Sequence, residues 1–477
     1  MKKTYITTAI PYVNGRPHIG FALELVQADV IARYHRLIGN YTVFQTGTDE
    51  NALKNVLSAQ QLGISTEKFV NHNAGLFIEL AHSLDISFEY FIRTSNDAHK
   101  AGAALLWTKC KTEDIYTKSY EGLYCSECED FYSEKDLING ICPDHNIPPV
   151  LTSETNYFFR LSAYQEKLEQ LISDDIIKVV PKTRKNQVLS FIRSGLHDFS
   201  ISRPSHRAGG WGVSVPGDPS QTIYVWFDAL ANYITGQGFG NSGSWQSTWN
   251  NKCRKIHLIG KNVWKFHAVY WPAILLSAGL ALPNEIVVHG FLTENGKKIS
   301  KSAGDSTDPV ELAKSYSADA LRYYLLSEFS PFNDGDFSLE NFVNVYESRL
   351  ANNLGNLVSR VTSLCEKAGY GNYCRVDIPT CPAGYNEALD NYEFDKALSI
   401  LWTALTVINQ DIDKNKPWNL LKEGLKTEVN QLLDKWLSEL EIVVYWLRPF
   451  LPETCYKIHS LLINQPMVQS DVLFAKS

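Results

Sequence analysis

The chain has no apolar run long enough to cross a bilayer. Its longest uncharged apolar stretch, Ala268 to Pro283, is too short and is broken by Pro272, Ser277 and Gly279. No secretory leader is expected, because Lys2-Lys3 and a brief apolar run end at Pro11-Tyr12-Val13-Asn14-Gly15. Positive charge is also short: 45 Lys and Arg stand against 52 Asp and Glu, for a net charge of −7. That excludes the global basic field of non-specific nucleic-acid binders, so any RNA contact must be local. An even disulfide set is missing too. The nine cysteines are an odd number and three cluster with a His, which predicts reduced thiols and a cytoplasmic, non-membrane protein. What is present is ordinary: 44% apolar and 20% charged residues over 477 positions, enough for two to four domains with their own cores.

Residues 4 to 10 read as a short buried strand rich in β-branched residues, and Pro11, Asn14, Gly15 and Pro17 mark the turn after it. A helical pattern follows from Ile19 to Leu37 and is closed by Gly39-Asn40. A second strand, Tyr41 to Thr46, and another helix repeat the rhythm of a parallel α/β sheet, which binds ligands outside the carboxyl ends of its strands. From about Tyr116 to residue 150 the chain is rich in Cys, Tyr, Asp, Pro and Gly. The α/β rhythm resumes near Gln221, with strand-like runs at Ile223 to Phe227, Lys255 to Ile259 and Glu285 to His289. Beyond about Phe337 the pattern is wholly helical, over Phe342–Ala368, Glu393–Asn415 and Glu428–Leu447, and reads as an antiparallel bundle. Its charge is mildly acidic, 13 basic against 16 acidic residues from Asn341 onward. The expected division is a sheet domain in two halves, 1–115 and 221–336, an insertion at 116–220, and a helical domain at 337–477.

Three groups of residues carry chemistry. Pro17-His18-Ile19-Gly20 lies where the first strand meets its helix. Free N–H groups and the helix dipole attract phosphate there, Gly20 permits close approach, and His18 donates. Such a triplet alone is most often a structural turn. Gly296-Lys297-Lys298-Ile299-Ser300-Lys301-Ser302 follows a late strand and is a cationic loop suited to a polyphosphate transition state, though a solvated surface turn reads the same way. Cys125-x-x-Cys128, 13 residues, then Cys142-x-x-His145 has the spacing of a tetrahedral zinc knuckle. Four protein ligands leave no open position, so one structural Zn2+ per chain is expected.

Together, His-Ile-Gly near the start and Lys-Ile-Ser-Lys-Ser late in the sheet resemble the paired signatures of class I aminoacyl-tRNA synthetases. The resemblance is most specific to the methionyl-tRNA synthetase family. It extends through Thr8 to Gly15, Gly47-Thr48-Asp49-Glu50, Tyr224 to Leu230 and His257-Leu258-Ile259-Gly260-Lys261, and so from about Thr4 to Lys457. It implies a Rossmann-like catalytic domain, a connective insertion bearing the zinc knuckle, and a helical anticodon-binding domain. It implies a methionine pocket of Ile10, Tyr12, Asp49, Trp226, Tyr233 and His267. There Asp49 would take the ammonium and the aromatic rings would enclose the thioether, since sulfur packs well on aromatic edges. It implies ATP contacts from His18, Gly20, Glu24, Gly260, Asn262, His289, Lys298, Ser300 and Lys301, with Mg2+ on the nucleotide. Of these, His18, Gly20, Lys298 and Lys301 are the expected catalytic positions. Asn356, Arg360 and Trp418 would read the anticodon of methionine tRNA, an exposed indole stacking on a loop base and Asn and Arg bonding base edges. No appendage follows the bundle, so a monomer is expected.

Two motifs depart from the pattern, at three positions. The family's first motif normally ends in a second His, where this chain has Phe21, and its usual Asp-Glu-His-Gly is Asp49-Glu50-Asn51-Ala52. A phenyl ring cannot donate, and one lost donor to developing charge costs on the order of 2.7–4 kcal/mol in the barrier. Methionine–tRNA ligation is the expected activity. Two other readings stay open: a tRNA-independent ligase that activates an amino acid for a small amine, and an RNA-binding paralogue impaired by Phe21. Asn356, Arg360 and Trp418 disfavour the first, Lys298 and Lys301 the second.

Overall fold

The computed structural model describes the chain except residues 1, 126–129, 133, 144–145, 242, 300–306, 372, 374–378, 464–468 and 476–477. It divides into two compact units. The first comprises Met1–Pro17, Gly39–Ile78 and Phe88–His289; the second comprises His18–Ile38, Glu79–Ser87 and Gly290–Ser477. Among the described residues no helix is long and apolar enough to cross a membrane.

The first unit is built on six parallel strands: β1 (Lys3–Thr8), β2 (Tyr41–Thr48), β3 (Tyr90–Arg93), β4 (Lys178–Val180), β5 (Cys253–Gly260) and β6 (Glu285–His289), in the order β3-β2-β1-β5-β6-β4. From β1 the chain steps outward one way through β2 and β3, while β5 and β6 step the other way. The order therefore reverses between β1 and β5, and the crevice beyond their carboxyl ends is where such a sheet takes a ligand. Five of the six residues of β1 and all five of β6 are buried. That is why these strands read as continuous apolar or β-branched runs and not as alternating ones. Tyr5, Phe227, Trp249, Trp271 and Ile274 pack the core.

Residues between 116 and 220 supply β4 as well as a long antiparallel hairpin, Ile115–Cys125 against Val150–Phe159, registered from Ile115↔Phe159 to Tyr124↔Val150. One sequence expectation changes here. The run Ile223 to Phe227 is not a strand: the strand Asp218–Ile223 ends at Ile223, and Val225–Thr235 is a helix with ten buried residues. A helix buried on nearly every side shows no polar stripe, so its apolar run imitates a buried strand.

In the second unit, the long helices predicted from periodicity are present as Phe394–Asn415, Lys426–Leu447 and a continuous stretch from Leu339 to Ala368. The middle of that stretch, Tyr346–Gly355, is wound as a π-helix. The unit also holds helices Ile19–Leu37, Ala318–Ser327 and Pro452–Ile463. A buried charge cluster joins them. Arg322 pairs with Asp29 at 2.7 Å and donates to the backbone oxygens of Leu84, Pro449 and Phe450 at 3.1, 2.8 and 2.8 Å. Burial opposes ionisation of Asp29, yet Arg322 and Arg33 outweigh it and hold that carboxyl below its ordinary value.

Candidate active site

Beyond β1 the parallel pairing continues into the loops. Ala9 N–H donates to Leu258 O at 3.1 Å, Asp49 N–H to Pro11 O at 2.9 Å, and Tyr12 and Asp49 form a parallel bridge. The loops after β1 and β2 are thereby held side by side at the carboxyl edge. Asp49 is buried, and Asn51 N–H donates to its Oδ1 at 3.3 Å. The Asn51 amide Nδ2 donates to Thr94 O at 2.9 Å and Asp228 Oδ2 at 2.8 Å, so one residue ties two buried carboxylates. The other Asp228 oxygen meets His99 Nε2 at 2.9 Å. Glu50 faces the opposite way: Arg93 grips it at 2.7 and 2.8 Å, with Thr48 and Ser95 donating as well.

The Val225–Thr235 helix presents Trp226 and Tyr233. Trp226 lies flat on Phe266, with centroids 3.7 Å apart and planes 6° off parallel, and its ring is 6.4 Å from that of Tyr12. Its buried Nε1–H meets no partner among the described residues. Lys54 Nζ stands 5.5 Å over the Tyr12 ring. Phe266–Tyr270 forms a short π-helical turn that carries His267. The Nδ1 of His267 is 2.9 Å from Val263 O, and a carbonyl only accepts, so Nδ1 bears the proton. Its Nε2 then accepts from Tyr233 OH at 2.6 Å. Burial pushes His267 down to about 4 despite that backbone bond. Behind it, His257 takes a 2.6 Å bond at Nδ1 with Thr7 Oγ1, stacks 4.1 Å from Tyr233, and is driven well below its usual value by burial and by His267. Both imidazoles are neutral near pH 7. The result is a packed cluster of aromatic and neutral imidazole rings, with the buried Asp49, bridged to Tyr12 through the backbone, beside it.

Ile10 is half-buried just before Tyr12. Gly260 and His289 are register partners at the ends of β5 and β6, and Asn262 is exposed in the turn after β5, so all three lie at the same carboxyl edge.

In the second unit His18 is the N-cap of the Ile19–Leu37 helix, its Nδ1 accepting from Gly20 N–H at 3.1 Å. Phe21 lies over the imidazole at 4.3 Å between centroids. Glu24 is half-buried one turn on. The strand Lys297–Lys298 pairs with Leu292–Glu294 through an Asn295-Gly296 turn, both residues at positive φ, 50° and 73°. Asp336 steadies this hairpin by accepting from Thr293 Oγ1 at 2.6 Å and Gly296 N–H at 2.8 Å, and those bonds hold its carboxyl below the usual range. The Lys298 side chain and all of Ser300 and Lys301 lie outside the described residues.

Cys125 ends its strand as a buried residue, and Cys142 is buried in a tight turn. Ile138 and Ile141 bridge around Asn139-Gly140, Cys142 N–H donates to Ile147 O at 3.0 Å, and Asn146 N–H to Cys142 O at 2.9 Å. Cys128 and His145 lie outside the described residues, and among those described no metal-ligand cluster of three forms. In the bundle, Arg360 and Trp418 are brought together: the guanidinium stands 5.3 Å over an indole that is 39% exposed, and it pairs with Asp413. Asn356 Nδ2 donates to Asn352 O at 3.2 Å.

Sequence reasoning missed Phe266, His99, the stacking of Phe21, and Asp336. Phe266 carries no spacing signal, His99 and Asp336 act through partners distant in the chain, and Phe21 acts through His18 three residues before it. The Asn295-Gly296 pair was a legible hairpin signal.

The model of the family described as tRNA synthetases class I (M) matches residues 4–148 and 136–362. The methionine–tRNA ligase of Clostridium perfringens is 38% identical over 481 residues, spanning 97% of this chain and 73% of its own length. That of a Nostoc species is also 38% identical, over 97% of this chain and 90% of its own. Among solved structures, Mycobacterium tuberculosis methionyl-tRNA synthetase in complex with methionyl-adenylate superposes with a TM-score of 0.89 at 37% identity, covering 98% of this chain and 95% of that one.

Proposed function

The chain belongs to the methionine–tRNA ligase family of class I tRNA synthetases, and from that premise we propose how its residues perform the reaction. Methionine would bind among the aromatic rings at the carboxyl edge. Asp49 would take the ammonium, with Ile10, Tyr12, Trp226, Tyr233 and His267 around the thioether. The observation that carries this reading is the neutral His267, bonded through both nitrogens and so unable to place a charge beside the sulfur. A methionine carboxylate oxygen would attack the ATP α-phosphorus in line. The bond to the bridging oxygen breaks and pyrophosphate leaves, giving methionyl-adenylate. The terminal ribose hydroxyl of the tRNA then attacks the acyl carbon and AMP departs.

Positioning and electrostatics would supply the catalysis, without a covalent enzyme intermediate. His18 Nε2–H, Gly20 and Glu24, together with Gly260, Asn262 and His289, would hold the nucleotide, and Lys298, Ser300 and Lys301 the departing phosphates. Mg2+, when bound, neutralises phosphate charge. Zinc would be held by Cys125, Cys128, Cys142 and His145. Two buried thiols, Cys125 at a strand end and Cys142 in a turn, suit a structural, closed site of this donor set. The anticodon of methionine tRNA would meet Asn356, Arg360 and Trp418. We place the enzyme in the cytoplasm as a monomer. The test is ATP–pyrophosphate exchange across the amino acids, with and without methionine tRNA. Methionine alone should support exchange, and added tRNA should be charged. Exchange driven by a different amino acid would overturn the assignment. Good exchange with no charging would favour a small-amine ligase.

A further inference from the structure

We propose that Phe21 is a positioning residue for the activation step, its ring holding the His18 imidazole in the orientation that presents Nε2–H for a phosphate oxygen. The proposal rests on the assignment of His18 to the phosphates of ATP.

His18 does two things at once. Its backbone is extended at φ −128° and ψ 174°, and its Nδ1 accepts the Gly20 N–H at 3.1 Å, capping the Ile19–Leu37 helix. A nitrogen that accepts carries no proton, so in the neutral ring the proton is on Nε2. The cap therefore selects the tautomer that can donate to an anion. One 3.1 Å bond does not fix the plane of the ring. Two neighbours do. A Cβ on Gly20 would lie 3.0 Å from His18 Cε1 and 3.1 Å from Nδ1, so the imidazole rests directly against the Gly20 backbone. Phe21 covers it at 4.3 Å between centroids, with planes 34° apart.

The chain thus lacks a second imidazole donor at Phe21 and has a stacking surface there instead. A donor whose direction is already set loses less freedom when the phosphate arrives, and that advantage is realised in the rate. The negative face of the phenyl ring also favours any positive charge the imidazole gains as phosphate charge builds. Gly20 acquires a second reason to be glycine: a side chain there would push the imidazole off its cap.

The test is a double-mutant cycle read by ATP–pyrophosphate exchange. His18→Ala should lower kcat strongly, which checks the underlying assignment. Phe21→Leu removes the ring at a half-buried position. It should lower kcat about ten-fold, the scale of a misplaced catalytic group, with KM for methionine and the melting temperature unchanged. Phe21→Tyr keeps the ring and should stay within about two-fold of wild type. In the His18→Ala background, Phe21→Leu should add no more than about a two-fold loss, because its effect runs through His18. Equal losses in both backgrounds would mean that Phe21 acts by packing and would overturn the proposal. So would wild-type kcat in Phe21→Leu alongside an impaired His18→Ala. Full activity in His18→Ala would instead overturn the assignment of His18, a result distinct from either.

Discussion

At the scale of single residues, the cluster proposed to receive methionine depends on charge kept out of it. His267 is held neutral near pH 7 with its folded value at about 4, and His257 is shifted in the same direction. An unfolded histidine titrates near 6.5. Between those values the unfolded chain binds more protons than the folded one, so stability is complete above about pH 6.5 and falls as pH drops toward 4. The lost stability for His267 is about 3 kcal/mol at most. Denaturant titrations at pH 7.5, 5.5 and 4.5 should show that decline, and His267→Gln should make it shallower, leaving the part due to His257. A wild-type slope surviving in the variant would place the proton uptake elsewhere. The same residues show where sequence reading stops. Tyr12, Asp49 and Trp226 stand at recognisable motif positions, and Tyr233 and His267 follow from the family resemblance. Their partners do not: Phe266 under Trp226, or Asn51 between Asp49 and Asp228, are choices made by packing between distant segments. Phe21 reads as a defect in sequence because a missing donor is visible there, while a new neighbour is not.

At the scale of elements, legibility followed burial. β1, β2, β5 and β6 were predicted to within about two residues, because buried parallel strands announce themselves as short apolar runs between turn signals. The Val225–Thr235 helix was misread in its first turn for the same reason, since its apolar surface is nearly continuous. The strand Lys178–Val180 is three residues long and gives no periodic signal. The hairpin that leads into Ser300 and Lys301 is a case where local chemistry dictates form. Gly296 sits at φ 73° and Asn295 at 50°, and Asp336 takes the Gly296 N–H. Gly296→Val would place a β-branched residue in left-handed backbone, a strain of roughly 1–2 kcal/mol or about ten-fold in hairpin population. Pyrophosphate exchange should fall by about that factor while KM for methionine stays put, because the residues proposed to bind methionine belong to the other unit. A change confined to methionine KM would separate this hairpin from phosphate chemistry.

At the scale of the whole molecule, charge gives little sign of a nucleic-acid partner. A net charge of −7 and a bundle of 13 basic against 16 acidic residues offer no broad surface for a polyanion. Recognition of methionine tRNA would then rest on a few local contacts, and the Arg360–Trp418 pair is the best built of them. Asp413 holds the guanidinium, which lies 5.3 Å over the indole, while 39% of Trp418 faces solvent. A tryptophan serving only to staple its helix would be sunk in the bundle, as Trp436 is. Stacking one loop base on that ring is worth about 1–3 kcal/mol. Trp418→Ala should therefore weaken aminoacylation about ten-fold or more, chiefly through KM for tRNA, and leave methionine-dependent exchange close to wild type. Arg360→Gln should weaken charging as well, by removing both a base-edge donor and the group that orients the ring. If exchange falls in step with charging in Trp418→Ala, the indole is a packing residue and tRNA selection lies elsewhere in the chain.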